Sequence, residues 1–377
     1  MRLIVNAISA HTGGIVTYTS FLIEYLKAFK VDSIVCVPGR YGEDEPEAPD
    51  SPVELQRMDV NRYWGVVRFI WEQTGWRRIV RNSGADVLFS SANYGLIRPP
   101  IKQVLLVQGE ISFNPVYKER VLHRLSWSER FGFALRRHLM LWSARNSDLV
   151  VFPSQVALDS VVETTPAIAG KSVVNYLAVN TNLPGMKRSR PWRDGGTLKL
   201  LYVSIYYPHK DPETLSNAVR VLRAGGMDAH AWITMEPRDF WTWSTGPEDL
   251  PPLLDAQADG LITLGRMDYA AIGSALTDHD VMVYPSFAET FGFPLVEAMA
   301  VGVPVVAADT PVHREVCGDA VLYFAPGDPD DLARCLKELD ANPGLRAEMS
   351  EKGKARVADR YLWQHHMSQM IDAMEKL

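Results

Sequence analysis

Short runs rich in Val, Ile and Leu recur along the chain, separated by stretches whose apolar residues fall at helical spacing. The first run is "RLIVNAIS", followed by "AHTGG" and then "IVTYTSFLIEYLKAF". In the last of these, Ile15, Tyr18, Phe21, Leu22, Tyr25 and Phe29 share one helical face. Strand, glycine turn and helix open an α/β unit. "DSIVCVP", "ADVLFSS", "KQVLLVQ" and "SDLVVFPS" continue the rhythm, and the first half reads as a doubly wound parallel sheet. The acidic, proline-rich "YGEDEPEAPDSP" (41–52) predicts a surface loop.

The rhythm breaks at "GMKRSRPWRDGG" (185–196), which has charge, Pro and Gly but no apolar period. It then restarts with "LKLLYVSI", "DAHAWITM", "GLITLG", "DVMVYPS", "VPVVAAD" and "AVLYFAP". The expected organisation is an N-terminal domain over 1–185, a linker over 186–196 and a C-terminal domain over 197–358. An amphipathic helix over 359–377 closes the chain and is expected to pack back on the N-terminal domain. Two such domains joined by a linker predict a central cleft. Ligands of open parallel sheets bind beyond the carboxyl ends of the strands, so functional residues should follow strands.

Composition narrows the class. A chain of 377 residues with 47% apolar and 22% charged residues is ordinary for a globular protein with two cores. No apolar run reaches the roughly 20 residues of a membrane span, and the opening "MRLIVNAISAHTGG" does not read as a signal peptide. Cys36, Cys317 and Cys335 are scattered and odd in number, which predicts free thiols in a reducing cytoplasm. Residues 1–185 hold 20 Lys+Arg against 17 Asp+Glu, and the remainder holds 19 against 28. A nucleic-acid binder is not built this way.

The chemistry concentrates in "YPSFAETFGFPLVEAMAVGVPVVAAD" (284–309). Glu289 lies in the loop beyond a strand, and Glu297 in the first turn of the helix that Pro294 opens and Gly302 closes. Residues eight apart on one straight helix stand roughly 12 Å apart, so the pair shares a ligand only if "FGFP" folds the loop back. From the residues alone, Glu297 is equally a capping carboxylate and Glu289 a solvated loop charge.

The longer stretch "PSFAETFGFPLVEAMAVGVPVVAADTPVHREVCGDAVLYFAPGDPDDLARCL" resembles the signature region of the retaining glycosyltransferases of family 4. The resemblance runs in order along nearly the whole chain and is strongest over about 195–335. It implies an α/β, GT-B fold: two Rossmann-like doubly wound domains facing a central cleft. It implies a retaining hexosyltransferase that uses a nucleotide-sugar donor as substrate, with no cofactor and no metal. GDP-mannose is slightly favoured by the form of the pattern. The acceptor would be a glycan or a lipid-linked saccharide, in cell-surface polysaccharide or lipopolysaccharide assembly at the cytoplasmic side of the membrane. No nucleic-acid partner is expected.

Site residues follow from the resemblance by position. Glu297 would accept hydrogen bonds from the donor's ribose diol, since a carboxylate has acceptors for both hydroxyls. Glu289 would hold the donor sugar beside the reacting carbon, and Lys210, in "YVSIYYPHKDPETLSNAV", would neutralise the diphosphate. Backbone amides of Phe291, Gly292, Phe293, Leu295 and Val296 would contact sugar and diphosphate, with the two Phe side chains as core residues. Gly13 and Gly14 in "AHTGG" would let the N-domain backbone approach the donor, and Arg266 in "LGRMD" is a further donor-binding candidate.

Two departures from the family pattern stand out. Ser204 and Ile205 occupy the place where the family carries an Arg, and Gln108, Gly109 and Glu110 stand in place of a His-Asp pair. No side-chain general base is assigned; the resemblance implies transfer on one face, with the leaving phosphate taking the acceptor's proton. The departures also support a rival, a catalytically silent sugar-nucleotide-binding partner protein; the retained Glu pair and Lys210 oppose it. "DHD" (278–280) precedes its strand and "DPD" (328–330) looks like a helix cap, so both read as structural. Residues 117–145 hold seven Lys+Arg and two Glu, with Trp127, Phe131, Phe133 and Trp142 among them, a composition suited to a helix pair or to peripheral contact with an anionic membrane.

Overall fold

The computed structural model describes residues 1–10, 14–39, 41, 50–59, 65–109, 111–179, 181, 191–194 and 196–377. The chain forms two compact units. The first comprises Met1–Phe113, Gly132–Leu177 and Trp363–Leu377; the second comprises Asn114–Phe131 and Ala178–Leu362.

Among the described residues the first unit carries seven strands: β1 (Leu3–Asn6), β2 (Ser33–Pro38), β3 (Val53–Met58), β4 (Val87–Ser90), β5 (Lys102–Leu106), β6 (Leu149–Phe152) and β7 (Ser172–Val174). They pair in parallel in the order β3-β2-β1-β4-β5-β6-β7. The central strands β1, β4 and β6 are buried on both faces, which is why they read as unbroken apolar runs. The sequence rhythm does not announce β3 or β7. Both are edge strands with a mostly half-exposed pattern, "VELQRM" and "SVV", so they need little apolar surface.

The second unit carries β8 (Leu198–Tyr202), β9 (Ala229–Ile233), β10 (Ile262–Leu264), β11 (Val281–Tyr284), β12 (Val305–Ala308) and β13 (Leu322–Phe324). These also pair in parallel, in the order β10-β9-β8-β11-β12-β13. All six correspond to apolar runs visible in the sequence. Strand order reverses between β8 and β11, the place where an open α/β sheet offers a ligand crevice.

The unit boundaries differ from the expected domains in two places. Asn114–Phe131, expected within the N-terminal domain, belongs to the second unit. Its ties are tertiary: Tyr117 is buried edge-on to His209 with ring centroids 5.6 Å apart, and Arg124 pairs with Asp249 and Glu248. No periodicity encodes such contacts. The division then falls inside one continuous helix, Trp127–Arg145. The second difference is that the change of unit comes at Ala178, before the charged stretch; the Val179 amide donates to the Tyr361 carbonyl at 3.0 Å within the second unit.

The last helix, Trp363–Glu375, packs on the first helix, Gly14–Ala28. Trp363 lies 5.3, 5.4 and 5.6 Å from the rings of Tyr18, Phe21 and Tyr25. Its neighbour His366 is fully buried, and desolvation lowers it to about 4. The neutral ring bonds the Tyr18 hydroxyl at 2.9 Å through Nε2, leaving Nδ1 facing the Tyr176 carbonyl at 2.9 Å. Among the described residues no helix is long and apolar enough to cross a membrane.

Candidate active site

At the carboxyl ends of β8 and β11 two loops are laced together. The Phe287 amide and the Ser286 hydroxyl both donate to the His209 carbonyl, at 3.1 and 3.2 Å. Asp211 takes a left-handed backbone (φ 49°) and caps the helix Pro212–Ala224 through the Thr214 amide and hydroxyl. Burial raises its carboxyl to about 6 against the opposing pull of those hydrogen bonds. Beside this cap, Lys210 reaches Tyr284 at the end of β11.

Lys210 forms an ion pair with Glu289, and the two side chains are only 11% and 10% exposed. The Tyr284 hydroxyl donates to the same Glu289 Oε1 at 2.9 Å, and Lys210 Nζ lies 3.4 Å from that hydroxyl. The Tyr202 hydroxyl donates to the Lys210 carbonyl at 2.7 Å, and the two tyrosine rings meet edge to face at 5.6 Å. Burial alone raises a carboxyl, but the charge and hydrogen bond of Lys210 outweigh it and hold Glu289 down at about 2. Glu289 is therefore ionised and fixed, an acceptor set in place before any ligand arrives.

Two buried histidines flank this group. Burial, then the Lys210 charge, lowers His209 to about 3, and its Nδ1 has no partner among the described residues. His313 gives Nδ1 to the Ala308 carbonyl at 2.7 Å, is lowered by burial, and leaves Nε2 without a partner among the described residues. Its ring meets that of Tyr284 edge to face, with centroids 5.5 Å apart.

Glu297 sits in the helix Phe293–Val301, behind Gly292 in a left-handed conformation (φ 92°) with Pro294 in the first turn. A Cβ on Gly292 would come within 3.0 Å of Leu295 Cδ1, so glycine suits both the turn and the packing. Glu297 is 5% exposed and receives a hydrogen bond from the Tyr269 hydroxyl at 3.1 Å. Burial raises it to about 7, against the pull of that bond. Burial pushes the Tyr284 phenol up, and both Glu289 and Glu297 add to the rise, so both carboxylates act on one buried phenol.

The other predicted positions divide. Phe291 is a core side chain, edge-on to Phe293 at 5.5 Å and to Tyr361 at 5.6 Å. The Leu295 amide is already bonded to the Gly292 carbonyl at 3.0 Å, while Val296 is wholly buried in the same helix. Arg266 follows β10 and is held against the loop after β9, 3.2 Å from Asp239 and 3.9 Å from Glu236. Gly14 starts the first helix of the other unit, and Gly13 and Glu110 lie outside the described residues. Gln108 donates to the Ser91 carbonyl at 3.1 Å, and the Gly109 amide to Asn93 Oδ1 at 3.1 Å. Ile205 is 43% exposed, and the Ser204 amide donates to Thr234 Oγ1 at 2.8 Å. Asp280 is buried and accepts the amides of Arg193 and Lys199; Asp328 caps the helix Pro329–Ala341.

Sequence reasoning passed over Tyr202, Tyr284, Tyr269, His209 and His313. A signal for the first two was present: β8 and β11, adjacent central strands, are otherwise mostly aliphatic and both end on Tyr. A phenol at the carboxyl end of a buried strand carries its hydroxyl to the ligand edge.

Two parallel-sheet α/β units, the second with fixed charges at its switch point, define a protein of GT-B fold. Sucrose-phosphate synthase from Thermosynechococcus elongatus has the same architecture, with a TM-score of 0.77 at 16% identity over 100% of this chain and 98% of that one. Residues 12–183 match the family described as Glycosyltransferase Family 4, and residues 254–356 the family Glycosyl transferases group 1. The O-antigen chain mannosyltransferase RfbU of Salmonella typhimurium is 40% identical over 208 residues, 55% of each chain. A phosphatidyl-myo-inositol mannosyltransferase of Mycobacterium leprae is 39% identical over 129 residues, 32% of this chain and 34% of that protein. The matched stretches thus span about half or less of these relatives' length. The chain is a GT-B protein similar to glycosyltransferase family 4 in its N-terminal half and to group 1 transferases in its C-terminal half.

Proposed function

We propose that the chain is a retaining glycosyltransferase that moves a hexose from a nucleoside diphosphate to a saccharide acceptor. The observation that carries this reading is the buried, ionised Glu289 tied to Lys210 and Tyr284 at the switch point of the second sheet. Glu297, buried with one phenolic donor, has acceptor capacity left for a ribose diol. In the proposed step the bond from the anomeric carbon to the diphosphate oxygen breaks and a bond to the acceptor oxygen forms on the same face. The acceptor's proton passes to the leaving phosphate. The mannosyl relatives support GDP-mannose as donor and a polysaccharide or glycolipid product.

A panel of GDP-mannose, UDP-glucose, UDP-galactose and UDP-N-acetylglucosamine, followed for donor hydrolysis and transfer, tests the reading. GDP-mannose is expected to be consumed fastest, and NMR of the product should show an α-linkage. Tight donor binding with no turnover under any saccharide acceptor would instead make the chain a silent sugar-nucleotide-binding partner.

Peripheral contact with an anionic membrane, on the cytoplasmic side, belongs to the same proposal. Of residues 117–145, Tyr117 and Val121 are buried, whereas Trp127 and Phe131 stack on each other at 79% and 58% exposure beside Arg130. Aromatic rings beside guanidinium groups suit the headgroup region. Co-sedimentation with vesicles containing phosphatidylglycerol should fall several-fold in Trp127→Ser/Phe131→Ser; equal sedimentation would remove this contact from the proposal.

A further inference from the structure

A nucleoside diphosphate brings at least two negative charges, and more gather on the leaving oxygen as the glycosidic bond breaks. The cation at the site, Lys210, is already neutralised by Glu289, and Asp211 stands next to it in sequence. The side chains named so far at the ends of β8 and β11 therefore offer no net positive charge to offset the phosphates.

The structure supplies a positive group from an unexpected stretch. Arg120 ends the short helix Pro115–Arg120, which Asn114 caps by accepting the Val116 and Tyr117 amides at 2.9 and 3.2 Å. Its guanidinium lies 5.5 Å from the centroid of Phe287, two residues before Glu289 in the laced loop. Burial raises the Asp211 carboxyl, and Arg120 is near enough for its charge to work against that. Among the described residues its hydrogen bond is a single long one, from Nη1 to the Pro326 carbonyl at 3.4 Å. Gly327, beside it, has φ 82°, and a Cβ there would stand 3.5 Å from Nη1. Most of the five donors of this guanidinium are therefore free for a ligand.

The segment that carries Arg120 is held at both ends. Tyr117 is buried edge-on to His209, and Arg124 is bound to Asp249 and Glu248. Further along, Glu129 accepts the Ser244 amide at 2.9 Å while the Ser126 amide donates to Ser244 Oγ at 2.9 Å. Such anchoring fixes where the guanidinium stands without using its own donors.

We propose that Arg120 is the second phosphate-binding cation of this site, a guanidinium brought by Asn114–Phe131 to the loops that hold Lys210 and Glu289. The inference rests on the proposed function. A guanidinium suits the task because its planar fork meets two phosphate oxygens at once.

Calorimetric titration of GDP, GMP and guanosine, with the uridine series alongside, separates the contribution of the phosphates from that of the nucleoside. Arg120→Ala is expected to weaken diphosphate binding by about 10- to 100-fold while leaving nucleoside affinity within about twofold. Arg120→Lys should fall between, because it keeps the charge and loses the fork. The unliganded melting temperature should stay put, since the side chain is exposed. Equal diphosphate affinity in wild type and Arg120→Ala, or an equal loss for nucleoside and diphosphate, would overturn the inference and leave the proposed function standing. A wild-type chain that binds neither nucleoside diphosphate would overturn both.

Discussion

Glu289→Ala is expected to lower sugar transfer by about 10²–10³-fold, the usual effect of removing one fixed group that recognises developing charge. The physical reason lies in the ion pair. Glu289 is kept ionised by Lys210; under the proposed function, its second oxygen would hold a sugar hydroxyl beside the reacting carbon. Lys210→Ala should damage the protein in a different way. It leaves a buried carboxylate without its cation, which costs about 3–5 kcal/mol when a buried pair is broken from one side. The double variant Lys210→Ala/Glu289→Ala should then be more stable than the sum of the single losses predicts, while remaining inactive. Denaturant melts of the four proteins measure the coupling, and single-turnover assays measure the chemistry. Full activity in Glu289→Gln would show that the carboxylate charge is not used.

Glu297→Gln should remove a pH dependence of stability. Burial raises Glu297 from 4.5 to about 7, so between those values the folded chain holds a proton that the unfolded chain has released. Its contribution is complete below about pH 4.5 and is lost as pH rises through about 7, in total about 3 kcal/mol. Glutamine carries no charge at any pH, so the variant should gain on wild type by about that amount between pH 5 and 8. A constant difference across this range would mean that Glu297 is not held protonated. The ligand should act in the opposite sense. A ribose diol donates to the carboxylate and favours its charged form, so nucleoside binding near pH 6 should release protons from wild type and none from Glu297→Gln. Calorimetry in two buffers of different ionisation enthalpy measures that release. Glu289, held near 2, has the reverse sign: its stabilisation is present above about 4.5 and disappears as pH falls toward 2.

Most of the fold was legible because it is written in local periodicity. Eleven of the thirteen strands among the described residues coincide with apolar runs visible in the sequence, for a strand buried on both faces must be apolar throughout. The two that were not, β3 and β7, lie at sheet edges, where half of each strand faces water and the pattern dissolves. The loop position of Glu289 and the helical position of Glu297 were likewise readable, from Pro294 and the glycines around them. Less legible was the state of these acids. Glu289 and Glu297 are the same residue type eight positions apart, yet one is held near 2 and the other near 7. The difference comes from Lys210, seventy-nine residues away from Glu289 in sequence, and from the lack of any such cation at Glu297 among the bonds described for it.

Sequence alone therefore determined the α/β class, the parallel order of strand and helix, and the placing of the two acids beyond a strand, since each follows from spacing and turn chemistry within a few residues. Tertiary structure decided which charges meet. It lodged Asn114–Phe131, a piece of the first half, on the second unit and so set Arg120 beside Phe287. It also drew Lys210, Tyr284 and Glu289 into one buried group. Ionisation depends on burial and on charges a few ångströms away, and those neighbours come from parts of the chain that no local pattern connects.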